Sequence, residues 1–143
     1  NDAPSAITRL IDMGIPPFLI ASTVQGVLAQ RLVRRICPEC RGTDNATPEE
    51  RAFLGASEMV QVIRSNGCEK CHGTGFFGRI GVFEILVVSD RIRELIVSKS
   101  NASVIRRAAL EEGMRTLKDD GGIKIREGLT TMSEVLRVVL DHD

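Results

Sequence analysis

Two Cys-x-x-Cys pairs constrain this chain more than anything else in it: Cys37-Pro38-Glu39-Cys40 and Cys68-Glu69-Lys70-Cys71, with 27 residues between them. A two-residue gap lets both thiolates of a tight knuckle face one ion. Two such knuckles complete a tetrahedral shell with Zn–S distances of about 2.3 Å. Turn residues follow each knuckle, Arg41-Gly42-Thr43-Asp44 and His72-Gly73-Thr74-Gly75. Glycines there let the backbone close around the sulfurs and aim amides at them. Two disulfides are an alternative in an oxidising compartment. A thioredoxin-type redox pair is another, although one pair suffices for that chemistry and neither pair has a βαβ context. The paired spacing favours one structural zinc held by Cys37, Cys40, Cys68 and Cys71. Four thiolates leave no open position, which argues against a catalytic zinc. His72 is read as a polar turn residue beside the site rather than a further ligand, and His142 as a solvated tail residue.

Composition narrows what such a zinc module can be part of. The chain has 143 residues and 43% apolar content, enough for one domain or two small ones. Nineteen basic residues balance nineteen acidic ones, which argues against a broad phosphate-binding surface. Aromatics make up 3%, with no Trp or Tyr, so few rings are available for stacking bases. No nucleic-acid partner is therefore expected, and a zinc-ribbon nucleic-acid binder is disfavoured. No apolar run approaches the ~18 residues of a membrane span. The start, Asn1-Asp2-Ala3-Pro4-Ser5, lacks the basic and apolar regions of a signal peptide. A soluble intracellular chain is expected.

Local signals place these motifs on elements. Asp2 reads as an N-cap with Pro4 in the first turn, Ala6, Ile7, Leu10 and Ile11 as an apolar face, and Gly14 as the stop. After Ile15-Pro16-Pro17, residues 18–30 carry Ile20, Val24, Val27 and Leu28 at helical spacing, and residues 31–36 read as a short strand leading into the first knuckle. The insert opens polar, then shows a capping box at Thr47-Pro48-Glu49-Glu50. Residues 58–64 are β-branched and ambiguous. Residues 76–88 predict a buried strand, or a hairpin turning near Gly78. Ser89 or Asp90 caps a helix with Ile92, Leu95 and Ile96 inward. Asn101 caps another with Ile105, Ala108 and Ala109 inward and Gly113 as its stop. Thr116 opens a third, expected to break at Gly121-Gly122. Thr131-Met132-Ser133-Glu134 reads as a second capping box, with Met132, Val135, Leu136 and Val139 on one stripe.

Catalytic machinery is missing from this pattern. The Walker A pattern G-x-x-x-x-G-K-[ST] does not occur, since Gly73, Gly75, Gly78 and Gly81 precede no Lys-Ser/Thr pair. Two histidines form neither H-E-x-x-H nor a Ser/His/Asp set. The chain is expected to be inactive alone and to be a piece of something larger.

At this point the motifs converge. Residues 1–36, from Asn1-Asp2-Ala3-Pro4-Ser5-Ala6-Ile7-Thr8-Arg9-Leu10 through Gly26-Val27-Leu28-Ala29-Gln30-Arg31-Leu32-Val33-Arg34, resemble the distal half of the secretion-type ATPases, the hexameric motors of type II secretion and type IV pilus assembly. So do Gly67-Cys68-x-x-Cys71-x-Gly73-Thr74-Gly75-Phe76-x-Gly78-Arg79-x-Gly81-x-x-Glu84 and Gly113-Met114-x-Thr116-Leu117-x-x-Asp120-Gly121-x-x-Lys124-x-x-x-Gly128-x-Thr130-Thr131-x-x-Glu134-Val135. The resemblance covers nearly all of the chain and is weakest across 43–64.

The resemblance implies an α/β fold, mostly helical in this stretch. It implies the distal part of a RecA-like ATPase domain (1–36), an inserted tetracysteine zinc subdomain (37–71), a return strand or hairpin (72–88) and a C-terminal helical subdomain (89–143). It implies an assembly-side motor rather than a pilus retraction motor, with ATP and Mg²⁺ bound by Walker motifs ahead of residue 1 and Asn1-Asp2 as the tail of a histidine box. The implied partners are five further copies in a homo-hexamer, an inner-membrane platform protein and associated assembly proteins. The implied location is cytoplasmic, peripheral to the bacterial inner membrane.

Two arginine sets follow from it. Arg79, between Gly78 and Gly81, matches a family arginine near the bound nucleotide. A guanidinium flanked by glycines approaches a phosphate or adenine without hindrance, and the plainer reading is a strand residue paired to Glu84 or to solvent. Arg31, Arg34, Arg35 and Arg41 form a basic run opposed only by Glu39. That run is a candidate for anionic lipid or an acidic partner surface, against the plainer reading of a solvated face. A separate alternative for the whole chain is a J-protein-like zinc-knuckle protein-binding module, because Cys68-x-x-Cys71-x-Gly73-x-Gly75 copies that repeat. Such a domain uses four repeats, however, and two occur here.

Overall fold

In the computed structural model, which describes residues 2–140, the chain forms seven helices and four strands among the described residues. They divide between two compact units, one of residues 2–30 and 83–117, the other of 31–82 and 118–140.

The first unit begins with α1 (Ala3–Asp12), whose N-cap Asp2 accepts from the Ser5 amide. The α2 helix (Pro17–Thr23) is shorter than its apolar spacing predicts. Val24 is already extended, and β1 runs from Gly26 to Ile36. The helical reading of residues 24–30 is therefore overturned. At the end of α2 the hydroxyls of Ser22 and Thr23 donate to the Leu19 carbonyl, side-chain bonds that compete with helix continuation. Val27 and Ala29 then point inward at strand alternation. Ile20, Val24, Val27 and Leu28 satisfy either period, and the turn chemistry decides.

β4 (Phe76–Val87) pairs with β1 in a two-stranded sheet. It is one continuous strand, so the hairpin alternative at Gly78 is not formed; the chain passes that glycine at a φ of 81° without reversing. Two helices follow, α4 (Asp90–Val97), capped by Ser89 through the Ile92 amide, and α5 (Ala102–Glu111), capped by Asn101 through the Val104 amide. The core of this unit is Ala3, Ile7, Ile20, Leu86, Val88, Ile92, Ile96, Ile105, Ala108 and Ala109 with their neighbours.

One polar group lies inside this unit. The Glu84 side chain, on a residue 1% exposed, accepts from the Ala3 amide at 2.8 Å and the Leu117 amide at 3.2 Å. Both amides open helices, where N–H groups lack intrahelical partners. Arg79 is not its partner.

In the second unit, β2 (Arg41–Asn45) and β3 (Gln61–Ser65) pair antiparallel with Arg41 opposite Ser65 and Asn45 opposite Gln61. Between them lies α3 (Pro48–Leu54), opened by the full Thr47–Glu50 capping box and closed by Gly55 in the left-handed region. Arg64 fastens the insert, reaching Asp44, Glu50 and the Asn45 carbonyl. The α6 helix (Leu117–Arg126) runs unbroken through Gly121-Gly122. A Cβ on Gly121 would lie 2.4 Å from a Val135 methyl, so this glycine permits close approach to α7 (Met132–Leu140) rather than ending a helix.

The second capping box forms by half. Thr131 Oγ1 accepts from the Glu134 amide, but the Glu134 carboxylate turns away to Arg34 and Arg137. His142 lies outside the described residues.

Candidate metal centre

The four cysteines meet at the base of the insert, in the second unit. Cys37 directly follows β1 and is anchored by its amide, which donates to the Gly75 carbonyl at 2.9 Å. Cys68 and Cys71 lie on a turn closed by Gly73 N–H to the Cys68 carbonyl and Thr74 Oγ1 to the Cys71 carbonyl. That turn needs glycine at one close approach: a Cβ on Gly67 would lie 2.7 Å from the Gly73 carbonyl oxygen. His72 sits at a φ of 55° and is exposed, outside the four-sulfur group.

All four Sγ atoms lie within 4.8 Å of one another. Cys37–Cys68 and Cys68–Cys71 are 3.7 Å apart and Cys40–Cys71 3.9 Å. A tetrahedron with metal–sulfur bonds of about 2.3 Å has edges of about 3.8 Å, whereas a disulfide holds its sulfurs about 2.05 Å apart. The spacing fits a shared cation and not two disulfides, and the cysteines are free thiols. Cys37 and Cys71 are buried, and Cys40 and Cys68 are half-buried.

Backbone amides tune the set as the flanking glycines suggest. Cys68 N–H and Gly75 N–H both donate to Cys71 Sγ at 3.2 Å. Burial pushes the Cys71 thiol up, but these amides and the neighbouring thiols outweigh it and bring the pKa down to about 6. Burial and the adjacent thiols push Cys40 up to about 12. Four thiolates cannot ionise side by side without a cation to offset their repulsion. Lys70 Nζ reaches Glu39 at 3.4 Å, an exposed tie between the two knuckles that spacing alone did not suggest.

The other residues singled out in the sequence are elsewhere. Arg79 is exposed on β4. Within the basic run, Arg34 is committed: its guanidinium bonds Glu134 at 3.1 Å and lies 4.2 Å from the Phe76 ring centroid. Arg35 and Arg41 are exposed. Among the described residues no helix is long and apolar enough to cross a membrane.

A family model described as "Type II/IV secretion system protein" matches residues 1–137. The chain belongs to this family. Among its secretion-family relatives, the "Type IV pilus assembly ATPase PilB" of Thermus thermophilus is 46% identical over 140 residues, 95% of this chain and 16% of that protein. The "Type II secretion system protein E" of Pseudomonas aeruginosa is also 46% identical, over 144 aligned positions covering 99% of this chain and 28% of that protein. The "Type II secretion system ATPase E" of Vibrio cholerae is 43% identical across 96% of this chain and 28% of its own length. The chain thus spans well under a third of each of these relatives.

Proposed function

We propose that this chain is the non-hydrolytic, distal part of a cytoplasmic motor ATPase that powers type II secretion or type IV pilus assembly. The observation that carries the reading is the near-complete match of the chain to ATPases named for both processes. Residues 1–36 and the return strand belong, in this reading, to the far side of a RecA-like domain. The Walker motifs that hold ATP and Mg²⁺ lie, in this reading, outside this stretch. One structural zinc sits on Cys37, Cys40, Cys68 and Cys71, supported by sulfur spacing that suits a tetrahedral ion. It stitches the knuckles together and takes no part in hydrolysis, because four thiolates leave no site for water or phosphate.

Arg79, exposed between two glycines, is the residue of this stretch assigned to approach the nucleotide in the assembled motor. The full polypeptide works as a homo-hexamer against an inner-membrane platform protein, and the helical stretch 89–143 serves ring assembly and that coupling. Arg35 and Arg41 remain the parts of the basic run open to anionic lipid or an acidic partner.

The test compares the full-length protein with the 143-residue chain. Full-length protein is expected to hydrolyse ATP and to carry one zinc per subunit by elemental analysis, with Arg79→Ala lowering turnover but not thermal stability. ATP turnover by the 143-residue chain alone would refute the division of labour. A full-length protein that fails to hydrolyse ATP would refute the motor reading.

A further inference from the structure

The strands that close the insert also decide which cysteines stay together when no ion holds them. Cys40 lies directly ahead of β2 and Cys68 three residues beyond β3, and the pairing of Arg41 with Ser65 joins those two strand ends. Cys37 is tied to the second knuckle by its amide, through the Gly75 carbonyl, which also accepts from Ser65 Oγ. None of these bonds involves a sulfur.

Burial sorts the four sulfurs into two kinds. Cys40 and Cys68 are half-buried beside the exposed residues Glu39, Arg41 and Glu69, whereas Cys37 and Cys71 are buried. Each half-buried sulfur has a buried one across the knuckles, Cys68 with Cys37 at 3.7 Å and Cys40 with Cys71 at 3.9 Å. Of the sulfur contacts at 3.7–3.9 Å, this pairing alone uses every sulfur once. Closing either contact to a disulfide moves each sulfur by less than about 1 Å. A reachable thiolate beside a second thiol that can resolve it is the arrangement of a reversible oxidation site.

We propose that the four-cysteine centre is an oxidative modification site, whose co-reactant is a hydroperoxide and whose products are the disulfides Cys37–Cys68 and Cys40–Cys71. A thiolate of Cys40 or Cys68 gives two electrons to the peroxide. The O–O bond breaks, an S–O bond forms, and hydroxide leaves a sulfenic acid behind. The buried partner's thiolate then attacks that sulfur, the S–S bond forms, and a second hydroxide leaves. Each disulfide thus consumes two thiolates and one peroxide and yields two hydroxides. Once both have formed, the sulfurs have lost the charge with which they hold a cation. Both bonds span the insert, so it stays closed while the ion is given up. In a reducing compartment such disulfides are transient, which suits a sensor of oxidant rather than a permanent link. The inference rests on the zinc reading for the identity of the released ion, and adds the chemistry of the sulfurs themselves.

Full-length protein, its zinc content fixed by elemental analysis, is titrated with hydrogen peroxide. A chromogenic chelator follows released zinc, and mass spectrometry of alkylated, unreduced peptides maps the cross-links. Release of about one zinc for every two peroxides consumed is expected, with Cys37 linked to Cys68 and Cys40 to Cys71. Dithiothreitol and added zinc should restore the starting state. Disulfides within each knuckle, disulfides between chains, or sulfinic acids as the main product would overturn the proposal. So would thiols that survive peroxide until the protein unfolds. Hydrogen exchange across 41–65 supplies a second measurement that needs no variant. The oxidised protein should exchange like the zinc-loaded one, and the chelated, reduced protein faster than both. Oxidised protein that exchanges as fast as the chelated form would show that the cross-links do not replace the ion. The two readings fail separately: a protein without zinc that still forms both cross-links refutes the zinc reading alone, and zinc-loaded protein that never forms them refutes this one alone.

Discussion

Glu134 holds Arg34 at two points: one carboxylate oxygen accepts from the Arg34 amide at 2.7 Å and the other from its guanidinium at 3.1 Å, across 100 positions of sequence. Arg137 adds a third donor from the next turn of α7. Burial raises the Glu134 pKa, but these donors outweigh it and bring it down to about 2. Lowered below its ordinary value, the carboxylate adds stability above pH ~4.5, and that contribution fades as pH falls toward 2. Both arginines are about half exposed, and solvent screens the pairs, so about 1–2 kcal/mol is expected. Glu134→Gln should therefore lower the urea midpoint at pH 7, and the gap from wild type should close between pH 4.5 and 2.

Removal of metal should act locally. A Cys₄ site adds its binding free energy to folding, and Cys68→Ser leaves three ligands. Hydrogen exchange across 37–71 is expected to accelerate in this variant or on chelation, while the first unit, with a core of its own, changes less. Unchanged exchange at 37–71 would show that the four sulfurs do not support the fold through an ion.

Gly121→Ala tests the close approach of α6 to α7. In an exposed helix this substitution would stabilise by up to about 1 kcal/mol. Here the added methyl meets Val135 at 2.4 Å, so overpacking should dominate and destabilise by about 1–3 kcal/mol. Combining it with Val135→Ala should recover part of the loss in a double-mutant cycle.

Glu84→Leu should be costly for a different reason. The side chain fits, but the amides of Ala3 and Leu117 lose their acceptor. Each orphaned buried amide costs about 1–3 kcal/mol. Equilibrium unfolding should show a loss near the top of that range, with Glu84→Gln retaining more stability because its carbonyl still accepts.

The features legible in sequence were those whose cause is local. Asp2, Thr47, Ser89 and Asn101 act on amides three residues ahead, and two Cys-x-x-Cys knuckles announce their own convergence. The features that were not legible depend on distant partners. Gly121 read as a breaker because Val135 was not in view. Glu134 read as a capping-box acid because Arg34 was a hundred residues away. β2, a run of exposed polar residues from Arg41 to Asn45, has no strand signature; its partner β3 supplies the pairing. The α2–β1 boundary was ambiguous because four apolar residues satisfied both periods, and two hydroxyls bonding back to Leu19 resolve it.

The α3 helix and the loop after it lie within a segment whose ends are closed twice, by the β2–β3 ladder and by the two cysteine knuckles. Within that segment α3 is itself held, with Phe53 and Leu54 packed on the second unit's core and the Leu54 carbonyl accepting from Arg126, so only the exposed loop after it is free to vary in length. Extending a loop whose ends are already held costs little, about 0.6 kcal/mol for each doubling. Ser57, Glu58 and Met59 at the exposed far end are therefore a natural position for an inserted epitope or fluorophore, leaving the sulfur cluster and both cores undisturbed.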